Sequence, residues 1–321
     1  MKRIFITAIL FSLVLTGCSM DEPLDNDNFI LEKYNLEVKE GNIYGTLTLP
    51  KDGGPFPVAL IIQGSGPTDR DGNSTIGGKN NSLKMLAEAL ANEGIASVRY
   101  DKRGIGASMD LVEKEEDLLF EDYIEDAILW ADKLQKDNRF DEIYIIGHSE
   151  GALIGAAAAS KTNIQGFISI AGMGKSPYDT LVRQLENQPG DIFERSLPIL
   201  DELKKGNLVH NPPKDLAPLF RESVQPYLIS WFKYDPKEVI SNVKAPILII
   251  QGDNDIQVTV EDAIILNNAV DSDLIIIKGM NHILKDAPKD EKGNLETYNK
   301  PDLPLNSEVA RDIINFISIG N

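Results

Sequence analysis

Six short runs of the chain are apolar almost throughout: 57–62, 95–100, 143–146, 167–170, 247–250 and 274–277. A run that is apolar on both faces suits a strand buried inside a parallel sheet, because neither face meets water. Ahead of them, Leu36, Val38, Ile43, Tyr44, Leu47 and Leu49 flank Glu40-Gly41-Asn42, the pattern of a strand pair closed by a tight turn. Helical patterns fall between the runs, over 83–92, 123–135, 152–159, 263–268 and 309–317. Strands alternating with helices after an antiparallel opening predict an α/β fold, a mostly parallel sheet covered on both sides.

The alternation lapses once. From 175 to 243 there is no strand-like run, only scattered prolines and candidate amphipathic helices. Roughly 70 residues is too long for a simple connection, so the segment is expected to be a folded helical cap over the strand ends. The core then divides into 34–174 and 244–321. No internal repeat or low-complexity tract interrupts either part.

The N-terminus does not belong to this pattern. Lys2 and Arg3 precede an apolar run over 4–15, followed by Leu15-Thr16-Gly17-Cys18. A charged start, a short apolar stretch and small residues describe a secretory signal peptide, and the run is shorter than the roughly 20 residues of a membrane span. Cys18, the only cysteine of the chain, closes the pattern. This resembles a bacterial lipoprotein signal, which implies removal of residues 1–17 and acylation of Cys18. Acyl chains anchor firmly, since each buried CH₂ contributes about 0.8 kcal/mol. Ser19 stands where an aspartate would resemble an inner-membrane retention signal, so sorting to the outer membrane is expected. The acidic residues that follow also resemble surface-export signals, and 18–33 reads as a solvated tether.

Charge and composition narrow the partners. The 321 residues include 50 acidic and 32 basic side chains, a net charge of −18. Such a surface repels phosphate backbones, so a nucleic-acid partner is not expected. One cysteine and three histidines rule out an internal disulfide and leave little for a zinc site. Neither a metal nor an organic cofactor is expected.

The chemistry-bearing motif is Gly147-His148-Ser149-Glu150-Gly151, between the run 143–146 and the alanine-rich helix from Ala152. A glycine–serine–glycine elbow between strand and helix strains the serine backbone and crowds its neighbours, so side chains two residues away would clash. The helix beginning there offers a positive dipole end to a developing oxyanion. A serine nucleophile needs a base. His148 is adjacent, but successive side chains diverge on an elbow, so it reads as a packed residue, and His210 in the cap reads as a surface residue. His282 follows the run 274–277 through Lys278-Gly279-Met280-Asn281. It therefore sits at a carboxyl strand end, where ligands bind in such sheets. His282 is the expected base.

Imidazole in turn needs an acid that fixes its tautomer. Gln251-Gly252-Asp253-Asn254-Asp255 follows the run 247–250. Asp255 is the better placed of the two aspartates, the other reading being that both merely form turns. For the oxyanion, the amide of Glu150 is one donor. The second is expected from the loop that begins Gln63-Gly64-Ser65-Gly66, at Ser65 N–H with Gly64 as its substitute. That loop lacks the lysine of a nucleotide P-loop.

With these residues in place the chain resembles an α/β-hydrolase of the bacterial serine esterase group. It is also similar to serine aminopeptidase-like and prolyl-oligopeptidase-like hydrolases. The likeness runs from about Tyr34 to the C-terminus and rests on the loop 63–73, the segment 99–108, the elbow, Gly252 to Asp255 and Asn281-His282. Gln63 stands where many relatives carry a histidine. The resemblance implies an eight-stranded core with a cap between the sixth and seventh strands. Arg70, Asp71, Asp101 and Arg103 read first as loop-bracing ion pairs, and Glu150 as a local hydrogen-bonding group or a binder of a substrate amine. Tyr178, Tyr227, Trp231 and Phe232 read as cap core or as pocket lining.

The expected activity is hydrolysis of small or short-chain carboxylic esters through an acyl-enzyme on Ser149, His282 and Asp255. Two other readings stay open. One is an aminopeptidase, amidase or thioesterase with the same three residues. The other is a non-catalytic lipoprotein that uses the cap to bind a ligand.

Overall fold

The computed structural model describes residues 28–188 and 190–319. The expected signal peptide, Cys18 and the first part of the tether lie outside these residues. In chain order the described residues open with β1 (Phe29–Lys33), β2 (Leu36–Val38), β3 (Gly41–Ile43), β4 (Gly45–Pro50) and β5 (Phe56–Ile62). They continue through α1 (Ser82–Asn92), β6 (Ala96–Tyr100), α2 (Phe120–Gln135), β7 (Phe140–His148), α3 (Glu150–Ala159) and β8 (Gly166–Ile170). Five helices follow: α4 (Pro177–Glu186), α5 (Ile192–Lys204), α6 (Ala217–Phe220), α7 (Gln225–Trp231) and α8 (Pro236–Ser241). The chain then returns to β9 (Ile247–Gly252), α9 (Val260–Ala269), β10 (Asp273–Ile277), α10 (Glu291–Glu296) and α11 (Ser307–Ile319).

Eight strands form one sheet in the order β1-β4-β6-β5-β7-β8-β9-β10. The pairs from β6 through β10 are parallel, while β4 runs antiparallel to both β1 and β6. The period-two rule assigns the faces of β5. Val58, Leu60 and Ile62 join the cluster under α2, α3 and the cap, and Ala59 and Ile61 join the one under α1 and α11. Both faces are dry, which is why the sequence shows unbroken apolar runs rather than alternation. Helix α3 is buried all round, and its Glu-Gly-Ala-Leu-Ile-Gly-Ala-Ala-Ala-Ala composition lets it press close to the sheet.

The opening hairpin is split between two sheets. β2 and β3 pair with each other, Leu36 opposite Ile43, while β4 belongs to the main sheet. Residues 29–33, expected to close a solvated tether, instead form β1, which pairs with β4 from Phe29↔Pro50 to Lys33↔Thr46. Phe29 is buried, so its apolar side chain holds the strand at the sheet edge despite the acidic residues before it. The helical segment 175–243 lies between β8 and β9, the sixth and seventh strands of the main sheet in chain order. It is fastened to the core where Arg183 of α4 meets the fully buried Asp262 of α9 at 2.8 Å.

Candidate active site

β7 delivers the chain to Ser149 at the centre of the sheet, and α3 begins one residue later. Ser149 adopts φ 57° and ψ −121°, a left-handed conformation that costs a non-glycine residue about 1–3 kcal/mol. The turn is tight enough to exclude side chains beside it. A Cβ on Gly147 would lie 2.3 Å from the Gly151 carbonyl oxygen, and one on Gly151 would lie 2.3 Å from that of Ile62. The Ser149 amide donates to the Ile170 carbonyl at 2.9 Å, tying the elbow to the end of β8. As the first residue of α3, Glu150 has an amide with no intrahelical acceptor.

His282 and Asp255 come together from the ends of β10 and β9. The imidazole Nδ1 lies 2.8 Å from Asp255 Oδ2. A carboxylate accepts, so Nδ1 carries the proton and Nε2 keeps a lone pair to act as a base. Asp255 Oδ1 accepts from the amides of Gln257 at 2.8 Å and Val258 at 3.0 Å. Burial opposes ionisation of Asp255, but the neighbouring His282 and these hydrogen bonds prevail and hold its carboxyl below the usual range. Asp253 closes the turn, accepting from Gly279 N–H at 2.6 Å, while the imidazole Nδ1 pairs with Asp255 instead.

His148 proves more than elbow packing. Its Nε2 donates to the His282 main-chain carbonyl at 2.7 Å, and the two rings lie 4.8 Å apart. Burial, aided by His282, pushes His148 down to about 3, so it stays neutral. Because His148 precedes Ser149, this bond fixes the elbow to the loop that carries His282. His210 is exposed and meets Glu222 at 3.0 Å.

The loop after β5 completes the cluster. A Cβ on Gly64 would lie 3.1 Å from Ser149 Cβ, so the Gly64 backbone lies against the serine. Gln63 is wholly buried and donates to the Tyr100 carbonyl at 2.9 Å, which pins the end of β5 to the end of β6. The charged residues brace this region. Arg70 meets Asp101 at 2.7 Å, Asp71 pairs with Arg99, and Arg103 holds Asp126 through two bonds of 2.7 and 2.8 Å.

Sequence reasoning missed two groups. Asn281 donates to Asn294 and Thr297, and Asn294 donates to the Asn254 carbonyl. Residues before His282 and Asp255 are thus joined through α10. Lys102 is buried against Glu150 at 2.8 Å. Neither motif spacing nor periodicity signals such partners; the only hint for Lys102 is its position just beyond a buried strand. The cap aromatics form a cluster in which Tyr227 packs on Phe120 and Tyr123 of α2, and Tyr178 meets Phe232 edge-on.

A serine on a strand–helix elbow, with a histidine–carboxylate pair at the next strand ends of a sheet in this order, defines an α/β-hydrolase. The chain adopts the α/β-hydrolase fold. Residues 77–224 match the family described as serine aminopeptidase, S33. The chain is 28% identical over 281 residues to esterase EstD of Thermotoga maritima, a match covering 84% of this chain and 63% of that protein. It thus spans just under two thirds of that relative's length. Among solved structures it is similar to Est1E from Butyrivibrio proteoclasticus, with a TM-score of 0.58 at 17% identity, covering 90% of this chain and 98% of that one. It is also similar to Porphyromonas gingivalis dipeptidyl peptidase 4, with a TM-score of 0.56 at 15% identity, covering 91% and 36%.

Proposed function

We propose that the protein is a serine hydrolase that cleaves small carboxylic esters. His282 Nε2 takes the proton of Ser149 Oγ as the oxygen attacks the acyl carbon. Asp255 keeps the imidazole in the reactive tautomer and stabilises its charged form. The amides of Glu150 and Ser65 receive the oxyanion, the imidazolium returns its proton to the leaving alcohol, and an acyl-enzyme forms. Water, deprotonated by His282, then releases the acid. Oxyanion donors of this kind contribute about 2.7–4 kcal/mol each.

The observation that carries this reading is the 2.8 Å contact between His282 and Asp255 on the loops flanking the elbow. The likeness to an esterase over most of the chain supports it. An aminopeptidase would require an anion for the substrate's ammonium group. The carboxylate next to the nucleophile in the chain, Glu150, is 2% exposed and already paired with Lys102, which favours the ester. We further infer that Cys18 carries the acyl anchor and that the enzyme works on the outer membrane, a reading supported by the signal pattern at 2–18.

The test is Ser149→Ala, assayed against acyl esters of increasing chain length, acetylated sugars and aminoacyl amides. Ester turnover should fall by at least about 10³-fold with the fold unchanged, and a fluorophosphonate probe should label only the wild type. Undiminished turnover would refute the mechanism. Palmitate labelling that survives Cys18→Ala would refute the anchor.

A further inference from the structure

Lys102 is among the most deeply buried charges of the protein, 1% exposed, just beyond the end of β6. An ammonium is tolerated there only if paired and hydrogen-bonded. Its Nζ donates to Glu150 Oε1 at 2.8 Å and to the Gly64 carbonyl at 2.9 Å, and it lies 4.7 Å from the centre of the Tyr123 ring. Both partners belong to the donors assigned above to the oxyanion. Glu150 supplies one amide. Gly64 shares a peptide unit with the N–H of Ser65, the other.

That shared peptide unit is the physical link. A trans peptide is planar, with its C=O and N–H pointing in opposite directions. When Lys102 holds the Gly64 oxygen, the Ser65 N–H must face away from the ammonium. Gly64 itself lies against Ser149, where a Cβ would approach Ser149 Cβ to 3.1 Å. Rotating the peptide would break a charge-assisted bond and leave the ammonium with one acceptor fewer, so the plane is held. A cation on the carbonyl oxygen also polarises the amide and strengthens its N–H as a donor. The same ammonium neutralises the Glu150 carboxylate, which would otherwise oppose negative charge developing one residue away.

We propose that Lys102 is a positioning residue that orients the Gly64–Ser65 peptide as an oxyanion donor. Tyr227 of α7 extends the arrangement into the cap. Burial, and then the Glu150 carboxylate beside it, push its phenol well above the ordinary range, so it remains a protonated neighbour of that carboxylate.

The proposal rests on the serine-hydrolase reading, and the experiment separates the two. Lys102→Met alone orphans Glu150, so the decisive variant is the charge-balanced pair Lys102→Met with Glu150→Gln, alongside Lys102→Arg. Each is assayed with p-nitrophenyl acetate and with a trifluoromethyl ketone, whose adduct mimics the tetrahedral oxyanion. The double variant should melt as a folded protein, with kcat lower by about 10- to 100-fold and KM within about threefold of wild type. Affinity for the ketone should fall by the same factor as kcat. Lys102→Arg should recover part of both losses. Full kcat in a folded double variant overturns the proposal, as does an equal loss of affinity for the product acid. Failure of the charge-balanced variant to fold also overturns it, since the lysine would then serve the scaffold. A wild type whose turnover survives Ser149→Ala would instead defeat the underlying mechanism.

Discussion

His148 makes the protein acid-sensitive by an amount that follows from its burial. The folded ring takes up a proton only near pH 3, whereas an exposed imidazole in the unfolded chain does so near 6.5. Between those values the unfolded state binds more protons, so stability falls as pH falls. At neutral pH the contribution is complete. At pH 5 the loss is about 2 kcal/mol, and at pH 4 about 3 kcal/mol. The pH 5 figure is set almost wholly by the unfolded ring, because the folded value lies two units lower still. The perturbation is His148→Asn, which removes the titrating group. Its baseline stability drops at every pH, since the bond to the His282 carbonyl and the ring packing are lost. The informative quantity is the difference between wild type and variant in urea unfolding at pH 7.5, 6 and 5, because all other titrating groups are common to both. That difference should shrink by about 2 kcal/mol on going from pH 7.5 to 5. Parallel stability curves would show that His148 takes up its proton as readily in the folded as in the unfolded state, and the reasoning would fail.

The two aspartates of the β9 loop should separate cleanly. Asp255→Asn removes the charge that stabilises the imidazolium and should lower kcat by about 10³- to 10⁴-fold without loss of fold. Asp253→Ala loses only its bond to Gly279 and should cost about 1–2 kcal/mol of stability, read by thermal melting, with kcat nearly unchanged. Equal kinetic effects would dissolve the distinction. Gly147→Ala places a methyl 2.3 Å from the Gly151 oxygen and 2.5 Å from Ala152 Cα, both backbone atoms. It should destabilise by several kcal/mol, about 3 or more, and a soluble variant with an unshifted melting curve would contradict the elbow geometry.

Much of the site was legible because its landmarks are local. The elbow announces itself in five residues, since Gly147 and Gly151 answer steric demands within one turn. The positions of Asp255 and His282 followed from a general property of parallel sheets, that loops at the carboxyl ends of strands share one edge. The strand missed at 29–33 has the opposite cause. Its five residues sit behind an acidic stretch, and only pairing with β4 gives them a reason to be extended. Helix α10 escaped notice for a similar reason, as it has six residues and is held by Asn281 and Asn254 rather than by an amphipathic stripe.

The amino-acid order alone determined the layered α/β architecture, the break at 175–243, the strained serine and the ranking of Asp255 over Asp253. All of these depend on periodicity, on turn sterics or on position relative to a strand end, which are properties of short stretches. Tertiary structure alone decided which groups answer one another across the chain: His148 with the His282 carbonyl, Arg183 with Asp262, and Lys102 with Gly64 and Glu150. Those partners lie 38 to 134 positions apart. Their meeting is set by the order of strands in the sheet, and no local pattern encodes the desolvated pocket that makes each bond strong.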